Sequence, residues 1–228
     1  MRLISKAVPF LIPLLIAGCG SDVATGCCAA VPSLRVINAF TSPVEVSVDG
    51  TVVLTSISAG NIGMAALAAG AHAVVMRPIG TGSPTNLNIT TTASGVGTIA
   101  AVRSASGAVS SAVLDDTNSV VPAGATKVRV LHLAPNAGVI QVYRTQPDYQ
   151  TPISWQFPFT YQATPTSLNA PFFQSTVGTW EVHVWQTPTD ASGWANAPLK
   201  IIIPLASGEK KTIVILDNPG GGVRYETY

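Results

Sequence analysis

KVRVLHLAPN, running from Lys127 to Asn136, repeats in outline the stretch SLRVINAFTS from Ser33 to Ser42. With Leu34 placed on Val128, a shift of 94, LRVINAF meets VRVLHLA and Arg35 falls on Arg129. The match continues downstream. AGAHAVVM (Ala69 to Met76) meets VGTWEVHV (Val177 to Val184) with Gly70 on Gly178, a shift of 108. ASG at Ala93 meets ASG at Ala206, and Thr98-Ile99 meets Thr212-Ile213 at a shift of 114. The order is kept and the shift grows only where loops are expected, so the chain reads as one unit written twice.

Each copy reads as β. Val44, Val46 and Val48 alternate with Glu45, Ser47 and Asp49, the period of a half-buried strand. Asp49-Gly50 is a hairpin turn signal. The β-branched run Thr212 to Leu216 suits a strand covered on both faces. Short strands recur with Gly, Pro, Asn or Ser between them, the pattern of a sandwich or barrel. MAALAA, Met64 to Ala69, has helix-forming composition but is too short before Gly70 to make a good helix. The polar, Pro/Gly-rich stretch from Asp115 to Thr126 marks the boundary.

The motif R-V-x-H at Arg129 to His132, followed by APNAGVIQVY, resembles the opening of the bacterial domain of unknown function (DUF) 4397 family. RVINAFTSPVEVSVDG, Arg35 to Gly50, resembles it too. Copy one carries Asn38 where that pattern favours His, and copy two lacks the Asp-Gly turn. The resemblance implies an all-β fold: two tandem immunoglobulin-like antiparallel β-sandwich domains, over residues 33–118 and 125–228, in an envelope or secreted protein. It brings no activity and no catalytic residues.

The N-terminus reads as an export signal. Arg2 and Lys6 precede an apolar run, Ala7 to Ile16, that is shorter than the ~20 residues a bilayer span requires. Ile16-Ala17-Gly18-Cys19 resembles the lipobox of bacterial lipoproteins, which implies a signal peptide over 1–18 and Cys19 as the acylated first residue of the mature chain. Several acyl chains are needed for a stable anchor, each buried CH₂ contributing about 0.8 kcal/mol. Gly20, rather than Asp, points to the outer membrane by the enteric sorting pattern. Residues 19–32 form a tether without periodicity, and its flexible part would span about 20 Å. Cys27 and Cys28 lie in it, and a bridge between adjacent residues would be strained. The partner expected first is therefore a membrane, reached through the lipid.

Composition narrows the chemistry. The net charge is +1 and only 10% of residues are charged, so the basic face that nucleic acid requires is missing. The three histidines, His72, His132 and His183, fall opposite Trp180, Asn38 and Val75 in the repeat, and none has a zinc spacing. No nucleophile elbow or phosphate-binding P-loop occurs. Asp115, Asp116 and Asn118 offer oxygens for a cation, or form a solvated linker. The expectation is a non-enzymatic protein without cofactor or metal.

Aromatic residues are the one asymmetry. Copy one holds only Phe40, while copy two holds thirteen, including all four Trp. Trp155, Phe157, Phe159 and Tyr161 recur at period two and would share one strand face. Such a stripe serves either as buried glue or as an exposed platform for a glycan or an envelope protein. In GTWEVHVW, Trp180, Val182 and Val184 are expected inward. Glu181, His183 and Trp185 are expected outward, where they would stack on and hydrogen-bond a ligand. Trp194 lies in an expected loop and is a further binding candidate.

Overall fold

The structure is a computed structural model of the 228-residue chain. It describes residues 31–80, 82–93, 95–104, 107–116, 120–146, 153–154, 171–186, 197–218 and 220–228. The Cys19 lipobox, Cys27, Cys28, Asn118, Trp155, Phe157, Phe159, Tyr161 and Trp194 lie outside the described residues.

Copy one contributes β1 (Ser33–Ala39), β2 (Val44–Val48), β3 (Thr51–Ile57), β4 (Ile62–Ala66), β5 (Gly70–Pro78), β6 (Thr85–Thr91), β7 (Val96–Arg103) and β8 (Val109–Leu114). Copy two contributes β9 (Ala125–Leu133), β10 (Ile140–Thr145), β11 (Ile153–Ser154), β12 (Phe173–Thr176), β13 (Gly178–Gln186), β14 (Leu199–Leu205), β15 (Lys210–Asp217) and β16 (Val223–Thr227). In copy one the sheets run β4-β1-β7-β8 and β3-β2-β5-β6; in copy two they run β12-β9-β15-β16 and β11-β10-β13-β14. The second pair of sheets is the first pair with every strand number raised by eight. The register repeats as well: Arg35 pairs with Thr98, and Arg129 with Thr212. MAALAA does not form a helix, and its first half, Met64 to Ala66, lies in edge strand β4.

Both copies are β-sandwiches, antiparallel except at one place. β1 runs parallel to β7, and β9 parallel to β15. A parallel pair needs a long crossover, and here each crossover carries the whole second sheet of its copy. The Asp49-Gly50 turn joins β2 to β3 as expected; Asp49 has φ 50° and Gly50 φ 82°, the left-handed pair of a type I′ hairpin.

Side-chain alternation then builds three cores from four sheets. Leu34 and Val36 of β1, with Ile99 and Ala101 of β7, pack on Val44, Val46, Val74 and Met76 inside copy one. Val128, Val130, Ile213 and Ile215 pack on Val142, Trp180, Val182 and Val184 inside copy two. The opposite faces of the same central strands meet each other. Ile37, Ala39, Ala100, Val102, Ala112 and Leu114 of copy one close on Leu131, Leu133, Val214 and Leu216 of copy two. The run Thr212 to Leu216 is thus covered on both faces, and its second cover is the other sandwich. Each central strand stays apolar at successive positions because its odd and even residues serve different cores.

Truncating Leu131 to Ala removes buried volume from the core shared by the copies. The expected cost is about 2–5 kcal/mol, read as a lower urea midpoint.

Candidate functional site

One position on β1 and its equivalent on β9 break the apolar face between the sandwiches. Alternation sends Leu34 and Val36 into one core, so Arg35 faces the other copy; Arg129 does the same from the other side. Arg129 is only 1% exposed. A guanidinium does not give up its charge, so burial at that depth requires a counter-ion and filled donors. Asp116, just beyond β8, supplies the charge. Arg129 Nη2 donates to Asp116 Oδ1 in a close ion pair. It also meets the hydroxyls of Thr212 and Tyr228, each at 3.1 Å, while Nη1 reaches the Asp115 carbonyl at 3.2 Å.

The second carboxylate oxygen of Asp116 turns to copy one. It accepts the Thr98 hydroxyl hydrogen at 2.5 Å and lies 3.7 Å from Arg35 Nη1. Arg35 Nη1 in turn donates to the Thr98 hydroxyl at 3.2 Å. Lys210 Nζ donates to the Asp116 carbonyl at 3.0 Å. Both guanidiniums stack on rings, Arg35 at 3.9 Å from the Tyr228 centroid and Arg129 at 4.4 Å from that of Phe172, a favourable cation–π arrangement. Burial raises the Tyr228 phenol, the Asp116 charge adds to this, and Arg129 opposes it. A cavity of about 240 Å³ opens beside the cluster, lined by Arg35, Val96, Phe172, Lys210, Thr212 and Tyr228 along with Asp116.

The other end of the junction holds a second cavity of about 240 Å³, lined among others by Phe40, Gly60, Asn136 and Asp217. Asp217 accepts Nδ2–H of Asn136 at 2.8 Å. Its carboxyl is raised by burial, with Asn136 and Arg103 opposing. Arg224 crosses from copy two to donate to Asn61 at 3.3 Å. Gly60 has φ +75°, a backbone conformation that favours glycine, and the Arg224 guanidinium lies over it.

The histidines divide. His132, the motif residue, is fully buried. Its Nδ1 accepts the Ala134 N–H at 3.4 Å and its Nε2–H donates to the Gly138 carbonyl at 2.6 Å, which specifies the neutral tautomer. Asn38 performs the same task in copy one: Oδ1 accepts the Phe40 N–H at 3.0 Å and Nδ2 donates to Ser42 at 2.9 Å. The His of the motif is therefore a loop pin in this chain. His72 sits against the β2–β3 hairpin, with Nδ1 2.7 Å from Asp49 Oδ2 and Nε2 2.9 Å from the Ala68 carbonyl. Both partners are acceptors, so only the imidazolium satisfies both.

His183 corrects an expectation. The alternation does separate Glu181 and His183 from Trp180, Val182 and Val184, but His183 is 1% exposed and its Nε2 is held by the Glu181 carboxylate. That strand face is closed at His183, so the ring is not presented to a ligand from solution. Trp185 continues β13, with its backbone opposite Gln141. Asp115 and Asp116 are also not a free cation site, because the Asp116 carboxylate is already spent on Arg129 and Thr98. No group of three His, Cys, Asp or Glu among the described residues could hold a metal. Sequence reasoning missed the Arg35–Asp116–Arg129 cluster. Its available signal was the recurrence of Arg at the same place in both opening motifs.

Comparisons with known proteins bear on the same residues. The family model described as Domain of unknown function (DUF4397) matches residues 32–143, which takes in copy one and runs through β9 into β10. It agrees with the resemblance carried by the two Arg-Val motifs. The crystal structure of a DUF3823 family protein from Bacteroides ovatus is 8% identical, with 78% of this chain and 97% of that chain covered at a TM-score of 0.23. So loose a likeness carries no argument. No curated protein matches the chain.

Two predictions follow from the side chains. Asp116→Ala strands a buried guanidinium and lowers stability by about 3–5 kcal/mol, whereas adding Arg129→Met to it recovers much of that loss in urea unfolding. Burial holds the folded His132 below its ordinary value, with the Gly138 bond opposing. Below about pH 6.5 the unfolded chain binds the proton first, so His132 stabilisation is lost as pH falls through the folded value. His72 is raised, chiefly by its bond to Asp49; its contribution is complete below about pH 6.5 and lost as pH rises through the folded value. Urea midpoints measured against pH should flatten on the acid side in His132→Asn and on the alkaline side in His72→Gln.

Proposed function

We propose that this protein is a lipid-anchored module of the cell envelope that works by bracing or binding rather than by catalysis. The observation that carries the reading is the apolar core of Ile37, Val102, Leu131 and Val214, which joins two sandwiches through their faces. A two-sandwich body closed in this way suits a spacer or docking element held at a surface. The anchor half of the reading rests on Ile16-Ala17-Gly18-Cys19 and on the tether that leads from it to Ser33. At the outer membrane such an element would face either the periplasm or the cell surface.

A glycan-binding or adhesive role through Trp155, Phe157, Tyr161 and Trp194 is the alternative from the sequence. Those residues lie outside the described ones, and the burial of His183 removes one member of the Glu181–His183–Trp185 group.

The test is acylation. Cells fed labelled palmitate should yield labelled wild-type protein whose mature N-terminal peptide carries acyl mass on Cys19. Cys19→Ala should lose the label and move from the membrane fraction to the soluble one. An unacylated Cys19 in the wild type, or unchanged partitioning of the variant, defeats the anchor.

A further inference from the structure

We infer that the cavity at the Arg35 end of the junction binds an oxyanion of the phosphate class. The argument begins with charge. Arg35, Arg129 and Lys210 stand in or behind one wall, with the carboxylate of Asp116 among them. Both oxygens of that carboxylate are engaged, one by Arg129 and the other by Thr98. Lys127 lies two residues before Arg129 on the same strand face. The nearby Lys211–Glu209 pair, at 2.6 Å, is self-neutralising. The cluster therefore keeps a positive excess in a place where solvent screens little, since Arg35 and Asp116 are only 18% and 20% exposed.

Donor geometry points the same way. Arg35 carries five N–H donors, and a single nitrogen, Nη1, meets Thr98. The Tyr228 ring holds its guanidinium from one side, which leaves a positioned fork of the kind that recognises phosphate. Lys210 adds a compact charge on the same wall. The volume, about 240 Å³, is several times the ~30 Å³ share of one water, enough for a phosphoryl group and part of what it is attached to.

Position supplies a source. Val96, which lines the cavity, is the register partner of Ser33, the first residue of β1, and Ser33 N–H bonds the Gly95 carbonyl at 3.2 Å. The chain segment leading back to Cys19 thus enters at the rim of this cavity. A membrane-anchored body would hold this end within about a tether length of the lipid, where phosphodiester headgroups are abundant. The oxyanion site stands on the cavity alone; only the headgroup source rests on the proposed anchoring.

The experiment has two arms. Full-length mature protein in neutral detergent is titrated with inorganic phosphate by calorimetry at low salt. The Cys19→Ala chain, free of acyl groups, is floated with vesicles of phosphatidylglycerol or of phosphatidylcholine. Binding of phosphate is expected to weaken at least about tenfold in Arg35→Gln and in Lys210→Gln, a single charge-assisted contact being sufficient for that. Asp217→Asn, at the far end, should bind as wild type. Saturable phosphate binding assigns a soluble phosphate ligand; flotation with phosphatidylglycerol alone, lost in both variants, assigns the headgroup. Either supports the site. No saturable binding below about 1 mM together with no flotation overturns it, as does equal binding by both variants. Urea midpoints of the two variants separate lost binding from lost fold. Acyl mass at Cys19 is read independently, so failure of the site and failure of the anchor are distinct results.

Discussion

A permanent positive charge held 1% exposed between two apolar sheets constrains everything around it. Arg129 cannot neutralise itself by losing a proton, so the fold must carry a carboxylate to it. Asp116 meets that need only if β8 ends where it does and if the chain after Leu114 turns inward over β9. Thr212 and Tyr228 then meet Nη2 and Thr98 engages the other carboxylate oxygen, while the buried Nε–H has no hydrogen-bond partner among the described residues. The relative placement of the two sandwiches follows from this requirement as much as from the shared core. Grease alone tolerates sliding, while a forked guanidinium does not.

The duplication was legible in the residues, because its evidence is linear. Glycines at turns, the alternating valines of β2 and the equivalence of Thr98 with Thr212 can all be read without coordinates. Register repeats in space as it does along the chain, so the alignment shifts mark where loops grow. The parallel β1–β7 and β9–β15 pairs were not legible. Alternation reports which face a side chain takes and is silent on strand direction, and a central parallel strand looks like any doubly buried run. The continuous β-branched run Thr212 to Leu216 signals a strand covered twice, yet nothing in it tells whether the second cover is its own copy or the other.

The site was less legible for a related reason. Its members come from positions 35, 98, 116, 129, 210, 212 and 228, far apart in sequence and individually ordinary. Asp115-Asp116 looks like a solvated linker until the neighbouring sheet is in place. His183 shows the converse error. Alternation assigned its side of β13 correctly, but a strand's second face is not always a surface. The motif histidine was equally opaque: only when Asn38 and His132 are seen making matching bonds to residues two positions on does the substitution become intelligible as one loop-pinning role filled by two chemistries.

The lone carboxylate shared by Arg35 and Arg129 has a consequence for how such an assembly can be encoded. Two separate, identical chains meeting through this face would be related by a two-fold axis, and symmetry would supply carboxylates in pairs or not at all. Joining both copies in one polypeptide lifts that restriction. A single anion can sit off the axis and serve two cations unequally, leaving one end of the junction electropositive in a way that no homodimer of the same module can reproduce.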